Sequence, residues 1–522
     1  MNLWIASMEC AGIAEAGGVK NVTLSLCKEF SQLGHQVTLF IPEYKCTDFT
    51  KIVDFQLIYK NKTVEICGKK EKISYSKGSY CEGKFSVIFI QHPSFSEKEA
   101  VYTYTSHENL LNSEHKKGQG HSDTLFLNSL FSKAVCNFGK FLEKNEIPDI
   151  IHCQDASTAL IPSFASQIKE LKHTKTVVTI HNAGPAYHHN FKDLKEAEYF
   201  TGLKSDFLCG SLNNFKVEPF LLAVNSKAYL TTVSEKYAEE LLDINNSDNT
   251  EGLSKIFNDR NYFIKGITNG IDYERYDPRE TTISELPFCF DPETGDFEGK
   301  IKCREYFINE FLKNDIKDVK VFGHFEENCT ANDNVYFSYH GRVTGQKGIK
   351  VLIEAIPSIL NKHSSARFII AGQGEQYLEE QLIQLTNTYS GKIIYLNGYD
   401  KTAARLTTVA GDFIILPSYF EPCGLEDFIA LIYGTLPIAH KTGGLTKILD
   451  YKTGFLYDYN DSYNLSNKIT EVINLFIENK ALIEEMKITG AKYTHEKYLW
   501  KNVIKNEYLP FFEKILNNFK NF

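Results

Sequence analysis

The opening of the chain constrains its fold most. Residues 3–6 are a short apolar strand, followed by the polar, glycine-bearing run Glu9-Cys10-Ala11-Gly12-Ile13-Ala14-Glu15-Ala16-Gly17-Gly18. Val19, Val22, Leu26 and Phe30 then fall on one helical face, Gly34 stops that helix, and residues 37–41 form a second strand ending at Pro42. Strand, loop, helix and strand in this order begin a parallel sheet, because a parallel neighbour is reached only through a crossover.

The pattern recurs. It predicts strands at 149–152, 176–180 and 229–233, a helix over 125–142 and a strand-length apolar run at 85–90. A second series predicts strands at 335–339, 367–371, 393–396, 412–416 and 436–439, alternating with helices over 348–360, 376–385 and 402–409. Between the series, 277–334 reads as irregular and carries the turn-rich Asp291-Pro292-Glu293-Thr294-Gly295-Asp296. Residues 497–522 read as one long amphipathic helix around Trp500, Val503, Ile504 and Tyr508. The expectation is an α/β chain of two doubly wound Rossmann-like domains, 1–262 and 263–496, with 497–522 as a C-terminal helix.

The length of 522 residues allows two to four domains and a large core without disulfides or metals. With 57 Lys and Arg against 66 Asp and Glu, the formal net charge is −9, which argues against nucleic acid or an anionic membrane as partner. A local basic pocket for a phosphorylated small molecule is compatible with it. No window reaches the roughly 18 apolar residues of a membrane span, and the start Met1-Asn2-Leu3-Trp4 lacks the features of a signal peptide. The 12 cysteines form no C-x-x-C pair and are expected to be reduced structural thiols of a cytoplasmic protein. Triplets such as Asn328-Cys329-Thr330 are then chance matches to a glycosylation signal.

Several segments carry chemistry. The loop Glu15-Ala16-Gly17-Gly18 lies between strand and helix, where paired glycines and a helix start suit a diphosphate, or simply a tight turn. Gly341-Arg342-Val343-Thr344-Gly345-Gln346-Lys347-Gly348 also follows a strand and opens a helix. Arg342 and Lys347 are either a phosphate clamp or a solvated pair. Glu421 follows the 412–416 strand, where a carboxylate accepts sugar hydroxyls or serves as a helix N-terminal acid. His181 ends a strand and is a core, loop or functional histidine. The His188-His189 pair lacks a third ligand at metal spacing and reads as loop.

Together these segments resemble the bacterial glycogen synthase and plant starch synthase family, retaining glucosyltransferases of the two-domain GT-B type. The resemblance runs from Gly17-Gly18 through Pro148-Asp149-Ile150-Ile151-His152, Thr179-Ile180-His181-Asn182 and Thr268-Asn269-Gly270 to Arg342–Gly348. It is most specific at Phe420-Glu421-Pro422-Cys423-Gly424-Leu425 and Thr442-Gly443-Gly444-Leu445. It implies two domains facing a cleft and transfer of glucose from ADP-glucose to the non-reducing end of an α-1,4-glucan. No metal or other cofactor is implied. Glu421, His181, Arg342 and Lys347 would be the catalytic set. Gly17, Gly18, Asn269, Tyr399, Cys423, Gly424 and Leu425 would bind the donor, with Tyr399 stacking on the base, and Asp155 would lie on the acceptor side.

The sequence departs from the family at three places. Glu15 stands where a lysine is usual, with Lys20 as a candidate compensation. Glu426 stands where a threonine is usual, and Ala156-Ser157 replace Trp and His on the acceptor side. Two acids thus occupy expected phosphate contacts. Besides an active synthase, these departures admit a retaining transferase using UDP-glucose or another acceptor, and a non-catalytic glucan-binding or regulatory homologue.

Overall fold

A computed structural model describes residues 1–326 and 334–517. The Asn328-Cys329-Thr330 triplet and the last residues of the predicted C-terminal helix lie outside them. The chain divides into two compact units. One is Met1–Asn269 with the segment from Val503 onward, and the other is Gly270–Asn502.

The first unit is built on β1 (Asn2–Ala6), β2 (Gln36–Pro42), β3 (Ile52–Ile66), β4 (Lys69–Tyr80), β5 (Ser86–Gln91), β6 (Ile150–Gln154), β7 (Lys175–Ile180), β8 (Tyr229–Thr232) and β9 (Ile264–Gly266). They form one sheet in the order β9-β8-β7-β6-β1-β2-β5-β4-β3. β1 lies parallel to both β2 and β6, with Leu3 opposite Val37 and Ile150. These central strands are buried almost end to end, which is why they read as unbroken apolar runs. The helix Val19–Gln32 buries Val22, Leu26 and Phe30. Phe30 stacks on Phe512 with ring centroids 5.6 Å apart, which fastens the C-terminal segment to this unit.

Two features differ from the sequence expectations here. β3 and β4 form an antiparallel hairpin at the sheet edge that the periodicity did not reveal, because β3 is exposed along most of its length. The single helix expected over 497–522 is interrupted. The helix Lys480–Tyr498 stops at the extended residue Leu499 (φ −57°, ψ 136°). A short helix, Trp500–Val503, then passes through a π turn at Ile504–Tyr508 into Leu509–Leu516. Pro510, just after that wider turn, has no N–H to give to the turn before it.

The second unit contains β10 (Val319–Phe325), β11 (Val335–His340), β12 (Ala366–Ala371), β13 (Lys392–Gly398), β14 (Phe413–Leu416), β15 (Leu436–His440) and β16 (Phe455–Tyr457), in the order β10-β13-β12-β11-β14-β15-β16. All pairs are parallel except β10 with β13. The 277–334 stretch is less irregular than its sequence suggests, because it holds the helix Glu298–Asn309 as well as β10. That helix buries Lys300 beside Cys303 and Phe307, so its inner stripe is not apolar. Lys300 Nζ is satisfied there by Val409 O at 2.7 Å and Thr435 Oγ1 at 2.6 Å.

In both sheets the strand order reverses beside a central strand, between β1 and β6 and between β11 and β14. Open α/β sheets bind ligands outside the carboxyl ends of their strands at such points.

Candidate active site

In the second unit the loops leaving β11 and β14 are fastened together. Gly348 sits at φ 66°, and a Cβ there would lie 1.7 Å from Pro417 O. Tyr419 N donates to Gln346 O at 3.0 Å. The turn after β15 backs the same place. Gly444 N donates to Glu421 O at 2.8 Å, and a Cβ on Gly444 would lie 1.8 Å from Cys423 O. Only glycine permits that approach. Lys447 completes the framework. Its buried ammonium donates to the carbonyls of Cys423 (2.7 Å), Gly424 (3.0 Å) and Gly444 (3.0 Å) and to Asp427 Oδ1 (3.0 Å).

These loops surround a cavity of about 370 Å³ whose wall includes Arg342, Lys347, Tyr399, Glu421, Gly424 and Leu425. Cys423 lies behind the wall, its carbonyl held by Lys447. Lys347 is bonded to Glu421 Oε2, which also accepts from Ser418 Oγ at 3.1 Å. Arg342 is exposed and reaches Gln346 Oε1 at 3.1 Å. The Tyr399 ring is 68% exposed, leaving it available for stacking. Glu426 also lines the cavity and lies 3.1 Å from His340 Nδ1. Burial pushes Glu426 up, but His340 and Lys347 outweigh it and hold the carboxylate below its usual value. Burial raises Asp427 to about 6, against the pull of Lys447.

The first unit gathers a second set at the carboxyl ends of its strands. Beyond β1, Glu9 is buried and its Oε2 accepts from Ala16 N (3.0 Å) and Gly17 N (2.6 Å). The Gly17 amide is therefore engaged within the protein, contrary to the expectation of a free donor, whereas a Cβ on Gly18 would meet nothing within 4 Å. Glu15 accepts from Gly12 N at 2.7 Å and pairs with Lys20 at 2.8 Å. Lys20 thus turns toward the acid and offsets its charge.

Asp155 follows β6 in a left-handed conformation (φ 65°), and its buried Oδ1 has no hydrogen-bond partner among the described residues. Burial raises this carboxyl to about 7 despite the nearby N–H groups of Ala156, His181 and Asn182. His181, after β7, bonds Gln154 Oε1 at 2.8 Å, and burial lowers it to about 4. It is therefore a neutral imidazole near pH 7. Asn269, after β9, is 5% exposed, with Oδ1 unpartnered among the described residues. A positive φ at a non-glycine residue and an unpaired buried polar atom each call for an explanation, and a ligand at this point supplies one. His188 is tied into the fold by Glu218 at 2.7 Å and Ala183 O at 2.8 Å.

Sequence reasoning did not single out Glu9, His340 or Lys447. Each is a lone charged residue whose partners are distant along the chain or held through backbone, so no local pattern announces it.

Comparison with known proteins shows the family to which the two units belong. The starch synthase catalytic domain family matches residues 2–258, and the group 1 glycosyl transferases match residues 324–488. A glycogen synthase of Thermodesulfovibrio yellowstonii is 32% identical, over 97% of this chain and 96% of its own. One from Flavobacterium johnsoniae is 28% identical over 99% of each. Among solved structures, the catalytic domain of starch synthase IV from Arabidopsis thaliana, bound to ADP and acarbose, superposes with a TM-score of 0.80 at 22% identity, covering 99% of both chains.

Proposed function

The chain belongs to the glycogen and starch synthase family, and we infer from that footing how it carries glucose from ADP-glucose to the end of an α-1,4-glucan with retention. The second unit takes the donor. Arg342 and Lys347 meet the diphosphate, Tyr399 stacks on the base and Glu421 accepts hydroxyls of the transferred glucose. As the bond to the anomeric carbon breaks, negative charge grows on the departing diphosphate. Fixed cations stabilise it most when little water competes.

In the first unit, Asp155, His181 and Asn269 offer hydrogen-bonding groups suited to sugar hydroxyls. His181 serves there as a neutral hydrogen-bonding group rather than as an acid. Glu9 keeps the Gly17 loop in place through its two amide contacts. The partners are ADP-glucose and glycogen or a maltodextrin. We place the reaction in the cytoplasm, and no described helix is long and apolar enough to cross a membrane.

The observation that carries this reading is the single cavity lined by Arg342, Lys347, Glu421 and the exposed ring of Tyr399. Calorimetric titration with ADP tests it. The protein should bind ADP, and Arg342→Ala and Tyr399→Ala should each weaken binding. Unchanged affinity in both variants would place the nucleotide elsewhere.

A further inference from the structure

The donor cavity is poor in positive charge. Arg342 and Lys347 line it, but so do the carboxylates of Asp400, Glu421, Glu426 and Asp427. Lys447 offsets Asp427 from behind. Above the titration of Asp427 near pH 6, the wall keeps one surplus negative charge with His340 neutral and is balanced with His340 protonated. A diphosphate requires the second condition more than the first, since like charges this close cost free energy in a partly desolvated site.

His340 is placed to make that difference. It ends β11, two residues before Arg342, and lines the cavity. Its Nδ1 lies 3.1 Å from Glu426 Oε2, and both side chains are mostly buried, at 20% and 32% exposure. The remaining charged groups around it have partners of their own, although the Lys347 charge still works against an imidazolium. On its own loop, Lys347 pairs with Glu421 and Arg342 reaches Gln346. At the start of the helix Lys401–Ala410, Asp400 accepts from Ala403 N at 2.7 Å. Lys401 and Arg405 of that helix both turn to Glu285, at 2.5 and 3.6 Å. Arg275 and Tyr276 complete the surroundings from the segment after β9, where the Arg275 guanidinium lies 5.7 Å from the Tyr276 ring.

We propose that His340 is a proton-dependent counter-charge for the donor, so that the diphosphate of ADP-glucose binds together with one proton carried on His340 against Glu426. This rests on the reading of the cavity as the donor-diphosphate site. Burial works against the imidazolium, but Glu426 outweighs it and holds His340 above its ordinary value. An arriving diphosphate raises it further, so the proton is taken from solvent as the donor binds. Donor affinity therefore falls as pH rises through the titration of His340. His340 acts here as a positioning residue, through charge and not through contact with the reacting atoms. The pairing also gives Glu426 a function, because an acid at this point makes donor binding depend on the neighbouring histidine.

The test is calorimetric titration with ADP-glucose, without glucan, between about pH 6 and pH 8.5 and in buffers of different ionisation enthalpy. ADP-glucose has no titrating group near neutrality, so proton exchange reports on the protein. The expected result is a buffer-dependent enthalpy showing proton uptake, with affinity falling about three- to tenfold across the range. His340→Gln should abolish the uptake and flatten the profile near the wild-type high-pH value. Glu426→Gln should keep binding tight at high pH and also lose the uptake, which provides a second variant if His340→Gln folds poorly. Binding with no proton uptake, or a pH slope retained in His340→Gln, would overturn the proposal. No binding by the wild-type protein at any pH would instead overturn the cavity assignment, and this inference with it.

Discussion

Lys347 and Glu421 are bonded to each other on the wall of the second unit's cavity. The cation that would meet the leaving diphosphate and the carboxylate that would hold the sugar are thus kept at a fixed separation by direct contact. Their loops, fastened through Gly348 and Tyr419, leave little freedom to either. Such preorganisation is what lets a charge act in a transition state without first being reorganised.

Lys347→Ala should lower kcat by about 10²–10³ in glucose transfer from ADP-glucose to glycogen, the usual loss for one such electrostatic contact. Initial rates at saturating donor would show it. A near-normal kcat would remove Lys347 from the reaction.

Lys447 makes a prediction about stability. Its ammonium is the partner of Asp427, and both side chains are buried, at 6% and 1% exposure. Lys447→Met should cost about 3–5 kcal/mol, because it leaves a buried carboxylate alone. Adding Asp427→Leu should recover only part of that loss, because the carbonyls of Cys423, Gly424 and Gly444 still lack their donor. Denaturant unfolding of the single and double variants measures it. Equal stability of Lys447→Met and wild type would refute the role.

Gly444→Ala should destabilise the protein by roughly 1–3 kcal/mol, because the new methyl must displace the Cys423 carbonyl. The same displacement moves Glu421, so donor turnover should fall along with the unfolding midpoint. Full activity would mean the Glu421 loop does not depend on this approach.

Much of the fold was legible because β1, β6, β11 and β14 are buried runs separated by glycine turns and amphipathic helices. The hairpin of β3 and β4 was not, since an exposed edge strand has no apolar face to display. The helix Glu298–Asn309 escaped for the opposite reason, with Lys300 buried where the pattern calls for an apolar residue. At the site, Arg342, Lys347 and Glu421 stand in recognisable segments. Glu15 and Glu426 stood out in the sequence as acids where phosphate contacts are expected. Lys20 was a candidate partner for Glu15, but its direction, and the pairing of Glu426 with His340, became apparent only with the side chains in place, because a salt bridge leaves no periodicity.

Acid should destabilise the protein through its buried histidines. Burial lowers His152 to about 3 and His181 to about 4. Between those values and the ordinary histidine range, the unfolded chain binds more protons than the folded one, so stability falls as pH falls. From about pH 6.5 to pH 5, His152 alone should account for a loss of up to about 2 kcal/mol. Thermal unfolding midpoints across that range should decline, and less steeply in His152→Gln. Asp155 and Asp427, raised by burial, act in the opposite direction over the same range, so the comparison decides: equal slopes in wild type and His152→Gln would contradict the burial argument.

With Glu15 and Glu426 in place, this chain still moves glucose from ADP-glucose onto glucan. Transfer of labelled glucose to glycogen, with ADP-glucose and UDP-glucose compared side by side, tests it most directly. Labelled polymer should form from ADP-glucose at a rate well above that from UDP-glucose. Polymer left unlabelled by both donors, or labelled better by UDP-glucose, would contradict it.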